Sequence, residues 1–316
     1  MTEKYVVVIG GANIDIAGTP HKALIPADSN PGEISFSYGG VGRNIAENLC
    51  LLGVNVKLVV AVGGDVLGSD MIKHCEEVGM DTSLVLKVPE ELSSMYIYIN
   101  NEKGDMELAI DYQDICSRVT PEYLESIEPV INGACLVVMD GNISKEAFMK
   151  LKEICRVPIY IDPVSTILAQ RIKSGLDGID AIKPNRLEAE YLTDMTIQTE
   201  EDYRAAVRAI LGMGVKKVFM SMGSEGMLAA DKDNMYIVGE YPAEVVSTTG
   251  AGDAATAAIV WSAIENEGED SLVMAAKAAN VVAAMAIEVQ ATNNPNINPQ
   301  EVSKKIKEFD MTVRAI

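Results

Sequence analysis

Histidine is nearly absent from this sequence, with His21 and His74 the only two in 316 residues. Neither lies in a nucleophile-like context, which counts against a hydrolase built on a Ser–His or Cys–His pair, and His74, in a polar helical stretch, reads as a surface residue. Cysteine is sparse as well: five residues, at 50, 75, 116, 135 and 155. The number is odd, no CxxC pair occurs and no spacing matches a metal site, so neither a disulfide framework nor a zinc centre is expected. Cys50, Cys135 and Cys155 sit within or beside apolar runs and read as buried thiols in a reducing compartment. Positive charge is in deficit, with 26 Lys+Arg against 46 Asp+Glu and a formal net charge of −20. Such a surface repels nucleic-acid backbones and anionic membranes, which leaves small molecules as the expected partners. No apolar run is long enough to span a bilayer. The best candidate, 272–289, is interrupted by Lys277, Asn280 and Glu288 and reads as a buried helix. Met1-Thr2-Glu3-Lys4 and the run Tyr5 to Ile9 are too short for a signal peptide, so a cytoplasmic protein is expected. Two nucleotide-binding loops are missing too: there is no GxxxxGK[ST], and the first glycine turn is not GxGxxG.

What is present begins with size. A chain of 316 residues, 48% hydrophobic and 23% charged, buries a large core as one big domain or one domain with an appendage. Strand candidates at Tyr5–Ile9, Lys57–Val62, Leu136–Met139, Pro158–Ile161, Ala181–Ile182 and Lys217–Met220 alternate with helical periods at 41–52, 66–79, 144–154, 200–213, 251–265, 271–289 and 299–308. That order predicts an α/β fold, a mostly parallel sheet covered on both faces, with ligands at the carboxyl ends of its strands. Two segments break the rhythm. Residues 14–38 carry Pro, Gly and Ser with little helical period, and 93–115 alternates like a hairpin around Asn101-Glu102-Lys103-Gly104. They are expected to form a small β-lid on a core made of 1–13, 39–92 and 116–316, and an exposed lid sheet needs covering, as by a second subunit.

Three loops carry candidate chemistry. Ser247-Thr248-Thr249-Gly250-Ala251-Gly252-Asp253 runs into the apolar stretch Ala254 to Trp261. Small residues let backbone N–H groups approach a ligand, and the helix start favours an anion. Asp253 is placed to take a proton from a hydroxyl beside a phosphate. These seven residues alone also read as a glycine-rich turn with Asp as an ordinary first-turn helix residue. The second loop, Tyr38-Gly39-Gly40-Val41-Gly42-Arg43-Asn44, offers close backbone approach and, in Asn44, a donor and an acceptor for a sugar hydroxyl. The third, Gly10-Gly11-Ala12-Asn13-Ile14-Asp15, supplies one amide and one carboxylate, groups that suit vicinal hydroxyls.

Together these strings resemble the PfkB, or ribokinase-like, family of carbohydrate and nucleoside kinases over nearly the whole chain. Both signatures occur in order: Gly39-Gly40-Val41-Gly42-Arg43-Asn44-Ile45-Ala46, with Gly53 and Gly63 beyond it, and Thr248-Thr249-Gly250-Ala251-Gly252-Asp253. The resemblance implies a three-layer α/β/α fold with a β-strand lid, ATP as phosphoryl donor, Asp253 as catalytic base and the amides of Gly250, Ala251 and Gly252 as the anion hole. It makes Asn185-Arg186-Leu187-Glu188 the NxxE element, with Glu188 organising water-bound Mg²⁺ near the phosphates. It also places Ser221, Gly223, Glu225 and Gly226 along the phosphates and ribose of the nucleotide, and Asn280 on the adenine side.

Within the family, Gly10 to Gly18, Ser29-Asn30-Pro31-Gly32, Ala109-Ile110-Asp111, Thr292-Asn293-Asn294-Pro295 and Arg43 look most like the branch that phosphorylates pseudouridine at its 5′-hydroxyl. A kinase for another nucleoside or for a sugar (inosine, cytidine, ribose) stays open, and a non-catalytic ligand-binding regulator is the remote alternative. By this likeness Asn13, Asp15, Gly40, Gly42, Arg43 and Asn44 hold the sugar, and the base lies against the lid near Asp111. Two departures stand out. Ser247 replaces an Asp that often helps bind an activating monovalent cation, which leaves a potassium requirement open. Asp111 stands where the branch carries Asn, exchanging a donor and acceptor for an acceptor alone.

Overall fold

Strand β1 (Val6–Ile9) is wholly buried, with Val6 and Val8 in one apolar cluster and Val7 and Ile9 in another. Alternate side chains of a strand point to opposite faces, so both faces of its sheet are covered. The computed structural model that shows this describes residues 4–265 and 271–316; the leader reading at Met1-Thr2-Glu3 lies outside them. After β1 follow β2 (Asn13–Pro20), β3 (Gly32–Gly39), α1 (Val41–Leu51), β4 (Val56–Val59), β5 (Ala61–Gly63), α2 (Val66–Glu77), β6 (Leu86–Val88), β7 (Met95–Asn100) and β8 (Met106–Tyr112). Next come α3 (Pro121–Ser126), α4 (Glu128–Asn132), β9 (Leu136–Asp140), α5 (Lys145–Ile154), β10 (Ile159–Asp162), α6 (Thr166–Lys173), β11 (Ala181–Ile182), α7 (Arg186–Thr193) and α8 (Glu200–Gly212). The chain closes with β12 (Lys217–Ser221), β13 (Met227–Ala230), β14 (Met235–Val238), α9 (Ala251–Glu265), α10 (Ser271–Ile287), α11 (Pro299–Glu308) and β15 (Val313–Ala315).

Among the described residues nine strands form the main sheet, in the order β15-β14-β13-β12-β11-β10-β9-β1-β4. From β4 to β12 all pairs are parallel, and β13, β14 and β15 add an antiparallel flank. One apolar cluster joins this sheet to α9 and α10, and the other fills the opposite face under α5, α6, α7 and α8, giving a three-layer α/β/α fold. Helix α9 is buried at every position from Ala254 to Ser262. Apolar on all sides, it lies inside the molecule rather than on it.

A second sheet has the order β3-β2-β7-β8. Its pairing puts Ser37, Asp15, Tyr96 and Asp111 in one row, and Phe36, Ile16, Ile97 and Ile110 in the next. Directly paired side chains share a face and successive rows alternate. One face is therefore polar, and the other exposes Ile34, Phe36, Ile97, Leu108 and Ile110.

Several details depart from the sequence reading. The expected strand Lys57–Val62 breaks in two: β4 joins the main sheet, whereas β5 pairs with β6 in a separate two-stranded sheet. All five cysteines are free, but the buried ones are Cys75 and Cys116, and Cys50, Cys135 and Cys155 are only half-buried. His74 is no free surface residue. Its ring stacks on Tyr38 with centroids 4.3 Å apart, and its Nε2 lies 3.4 Å from Glu47. Among the described residues no helix is long and apolar enough to cross a membrane.

Candidate active site

The carboxyl ends of five adjacent strands carry the polar residues of the molecule's centre: Gly10 and Gly11 after β1, Asp140 ending β9, Asp162 ending β10, Lys183 just after β11 and Ser221 ending β12. Neighbouring strands lie about 4.8 Å apart, so these groups form a row along one edge, where open α/β sheets bind their ligands.

At the β1 end two glycine loops meet on a single carboxylate. Asp140 Oδ2 accepts the Gly11 N–H at 2.9 Å and the Gly42 N–H at 2.6 Å, and Oδ1 accepts the Asn142 N–H at 2.7 Å. Asp140 is fully buried, and burial raises its carboxyl despite those three bonds. Gly40, at φ +93°, caps α1 in a conformation that side chains resist. Arg43 was expected at the substrate, yet the structure buries it and turns its guanidinium inward. Nε donates to the Gly39 carbonyl, Nη2 to the Tyr38 carbonyl and to Asn44 Oδ1, and Nη1 pairs with Glu47. The contact to Oδ1 fixes which end of the Asn44 amide carries hydrogens toward the cleft. Asn44 Nδ2 then donates to Asp253 Oδ2 at 2.7 Å, which joins the first signature to the second.

The second signature folds as the sequence requires of a close-approach turn. Gly250 has φ +82°, and a Cβ there would lie 2.1 Å from the Thr292 carbonyl oxygen. Its own carbonyl accepts the Ala254 N–H at 2.9 Å, so Ala251, Gly252 and Asp253 make the first turn of α9. The free N–H groups of such a turn form an anion site. Enclosure of the Asp253 carboxyl, reinforced by the charge of Asp162, pushes it up to about 7, against the pull of Asn44 and Lys183. A carboxylate that titrates near neutrality beside an anion site suits a general base.

Next along the row, Asp162 Oδ2 accepts from Thr256 Oγ1 at 2.7 Å and lies 3.3 Å from Lys183 Nζ. Burial alone would lower the Lys183 ammonium, but the carboxylates of Asp162, Glu188 and Asp253 hold it above its usual range. Asn185 and Glu188 form a capping box at the start of α7: Glu188 N–H donates to Asn185 Oδ1 at 3.0 Å, and Asn185 N and Nδ2 donate back to Glu188 at 2.9 and 2.7 Å. Burial, then the charge of Asp162, raises the Glu188 carboxyl. With both its oxygens already engaged, Glu188 is a poor direct ligand, and no trio of Asp, Glu, His or Cys among the described residues is arranged to hold a metal. The donors fit a Mg²⁺ that would keep its waters, with Glu188 orienting those waters rather than binding the ion directly.

The small sheet brings its polar face to the same end. Asn13 Nδ2 donates to Asp15 Oδ1 at 2.5 Å, and burial pushes the Asp15 carboxyl up to about 6, with Asp111 adding to the rise and Arg43 opposing it. Asp111 is exposed, and partial desolvation raises it as well. On the other side of the row, Gly223 and Glu225 lie in an exposed turn after β12 that closes at Gly226. Asn280 Nδ2 donates to the carbonyls of Val238 and Gly239 at 3.1 and 2.8 Å, tying α10 to the end of β14.

Asp140, Asp162 and Lys183 were not singled out from the sequence. Each is a single charge ending or following an apolar strand, a pattern shared with ordinary strand ends. The available signal was position, since each follows a strand of the parallel set. The capping box at Asn185 and Glu188 was legible as N-x-x-E before a helix.

The pattern of the pfkB family carbohydrate kinases matches residues 3–299. The chain is 37% identical over 306 residues to the pseudouridine kinase of Escherichia coli, covering 94% of this chain and 95% of the relative. It is 27% identical to the guanosine-inosine kinase of Exiguobacterium acetylicum, covering 88% and 94%. A structure of Arabidopsis thaliana ribokinase complexed with ribose and ATP superimposes with a TM-score of 0.85 at 23% identity, over 98% of this chain and all of the other. The chain belongs to the PfkB family of carbohydrate kinases and has the ribokinase-like fold.

Proposed function

We propose that this PfkB-family phosphotransferase moves the γ-phosphoryl group of ATP to the 5′-hydroxyl of pseudouridine. The observation that supports it is Asp253, held by Asn44 at the first turn of α9 with its carboxyl near neutrality. In this reading Asp253 takes the hydroxyl proton as the oxygen attacks the phosphorus in line, and the Gly250, Ala251 and Gly252 amides stabilise the charge on the phosphoryl oxygens. The bond to the leaving diphosphate breaks as the bond to the acceptor oxygen forms. Mg²⁺ neutralises phosphate charge when bound, with Glu188 orienting its waters. Asn13, Asp15 and Asn44 bind the ribose hydroxyls, Gly40 and Gly42 allow close approach, and Arg43 acts by orienting Asn44. The nucleotide lies along Ser221, Gly223, Glu225, Gly226 and Asn280. The small sheet closes over the acceptor as a lid, and its exposed apolar face is the surface for a homodimer.

The choice of pseudouridine rests on the E. coli relative. A second reading, a purine nucleoside such as inosine, is favoured by the match to guanosine-inosine kinase and by Asp111, which accepts hydrogen bonds but cannot donate them when ionised. The test is to incubate the protein with ATP, Mg²⁺ and a panel of pseudouridine, uridine, inosine, cytidine and ribose, with and without potassium, measuring ADP release and product mass. Pseudouridine 5′-phosphate as the favoured product supports the first reading. Stronger turnover of another member moves the specificity, and no phosphorylated product from any of them removes the pseudouridine assignment.

A further inference from the structure

We propose that Lys183 is a further catalytic residue, whose ammonium, aimed by Asp162 from beneath the first turn of α9, contacts the phosphoryl group in transit. The inference rests on the kinase reading. Lysine is almost never buried without a partner, and here its side chain is only 7% exposed. Its ion-pair partner is Asp162, and the charges of Glu188 and Asp253 also act on it.

Its place is set tightly. Asp162 Oδ2 lies 3.3 Å from Nζ and also takes the Thr256 hydroxyl, while Oδ1 accepts the Val164 N–H at 3.0 Å. Val164 has φ +70°, a strained conformation for a β-branched residue and one of the kind that collects at functional sites. The turn thus holds Asp162 in one orientation, and Asp162 holds Lys183.

The ammonium also lies against α9: a Cβ built on Gly252 would be 3.5 Å from Nζ. The first turn of a helix carries positive partial charge, and an ammonium beside it is repelled. The arrangement becomes favourable once an anion bridges the two, as a phosphoryl group over the Gly250–Gly252 amides would. Lys183 gives up no proton. It stabilises the non-bridging oxygens while the bond to the diphosphate breaks and the bond to the acceptor forms, and its charge favours the ionised form of Asp253. The charged groups facing Asp253 are Asp162 from β10, Lys183 after β11 and Asp140 from β9.

The experiment compares wild type with Lys183→Gln and Lys183→Arg on whichever acceptor wild type phosphorylates. Alongside turnover, the Asp253 carboxyl is titrated by ¹³C NMR in protein labelled at aspartate, with Asp253→Asn for assignment. For Lys183→Gln we expect kcat to fall about 100-fold with the KM for ATP changed only a few-fold, and the Asp253 midpoint to move up. Lys183→Arg should recover about tenfold, as a retained charge would. A folded Lys183→Gln with kcat within about threefold of wild type overturns the proposal, as does an unmoved Asp253 midpoint. If Lys183→Gln does not fold, the charge-balanced double variant Lys183→Gln/Asp162→Asn replaces it: about 100-fold loss supports the proposal, and near-normal turnover overturns it. Should wild type phosphorylate no acceptor, the kinase reading fails by itself, and the Asp253 titration still decides whether Lys183 acts on that carboxylate.

Discussion

The two sheets of this molecule handle charge in opposite ways. At the edge of the nine-stranded sheet, Asp140, Asp162, Lys183 and Glu188 are buried and bonded to fixed partners. On the four-stranded sheet Asp111 is exposed, and the outer face leaves Phe36 and Ile34 to solvent. Enclosed groups cannot rearrange cheaply, so their arrangement is set before any ligand arrives. Exposed strands with few packed neighbours open and close at low cost, which suits selection and release. Tolerance to variation should divide the same way: changing the small sheet should alter what is bound, and changing the large sheet's edge should alter whether anything reacts.

Asp253→Asn should break the chemistry outright, lowering kcat at least about 100-fold with the KM for ATP nearly unchanged in steady-state assays. Gly250→Ala comes next, because the new Cβ meets the Thr292 carbonyl and the backbone has φ +82°. Turnover should fall by about tenfold or more, with a lower melting temperature. On the other sheet, Asp111→Asn should change the nucleoside KM by about tenfold and leave kcat within about threefold, the worth of one exchanged hydrogen bond. A fall in kcat like that of Asp253→Asn would erase the division between the sheets.

The pH profile sharpens the contrast. The proposed base must be deprotonated to act, so with Asp253 at about 7, kcat/KM should fall about tenfold per unit below that value and level off above it. Asp15, at about 6, should steepen the fall further down, and Asp15→Asn should remove only the steeper part. The smallest effect concerns stability. A carboxyl raised on folding binds more protons in the folded state than in the unfolded one between about pH 4 and its folded pKa, so this contribution declines as pH rises across that window. At pH 8, Asp253→Asn should therefore melt higher than wild type by about 2 °C, as about 1 kcal/mol gives in a chain of this size. A lower melting temperature would mean that the ionised carboxylate stabilises the fold.

Much of this was legible in the sequence, for identifiable reasons. Helices α1, α2, α5, α8, α9, α10 and α11 carry long apolar periods, and their observed bounds lie within two residues of those expected. Helices α3 and α4 span six and five residues, too short for a period to declare itself. Strand β13 reads Met-Leu-Ala-Ala, without the β-branched residues that mark a strand. Of the site, the glycine turns and Asp253 were visible because backbone geometry restricts residue type there. The inward turn of Arg43 was not, since it depends on the carbonyls of Tyr38 and Gly39 and on Glu47 converging in three dimensions.

The order of strands in the main sheet has a consequence for how the molecule is made. Strand β1 lies between β4 and β9, pairing residues 6–9 with 56–59 on one side and 136–139 on the other. At the far edge β15, residues 313–315, pairs with β14. A chain under synthesis therefore carries a wholly apolar strand that stays unpaired on one side until residue 139 has emerged, and the far edge of the sheet waits for residues 313–315. Such distant pairings fold slowly and expose sticky edges meanwhile. Between the emergence of β1 and that of β15 the growing chain thus presents open strand edges, the interval in which cover by a chaperone would matter most.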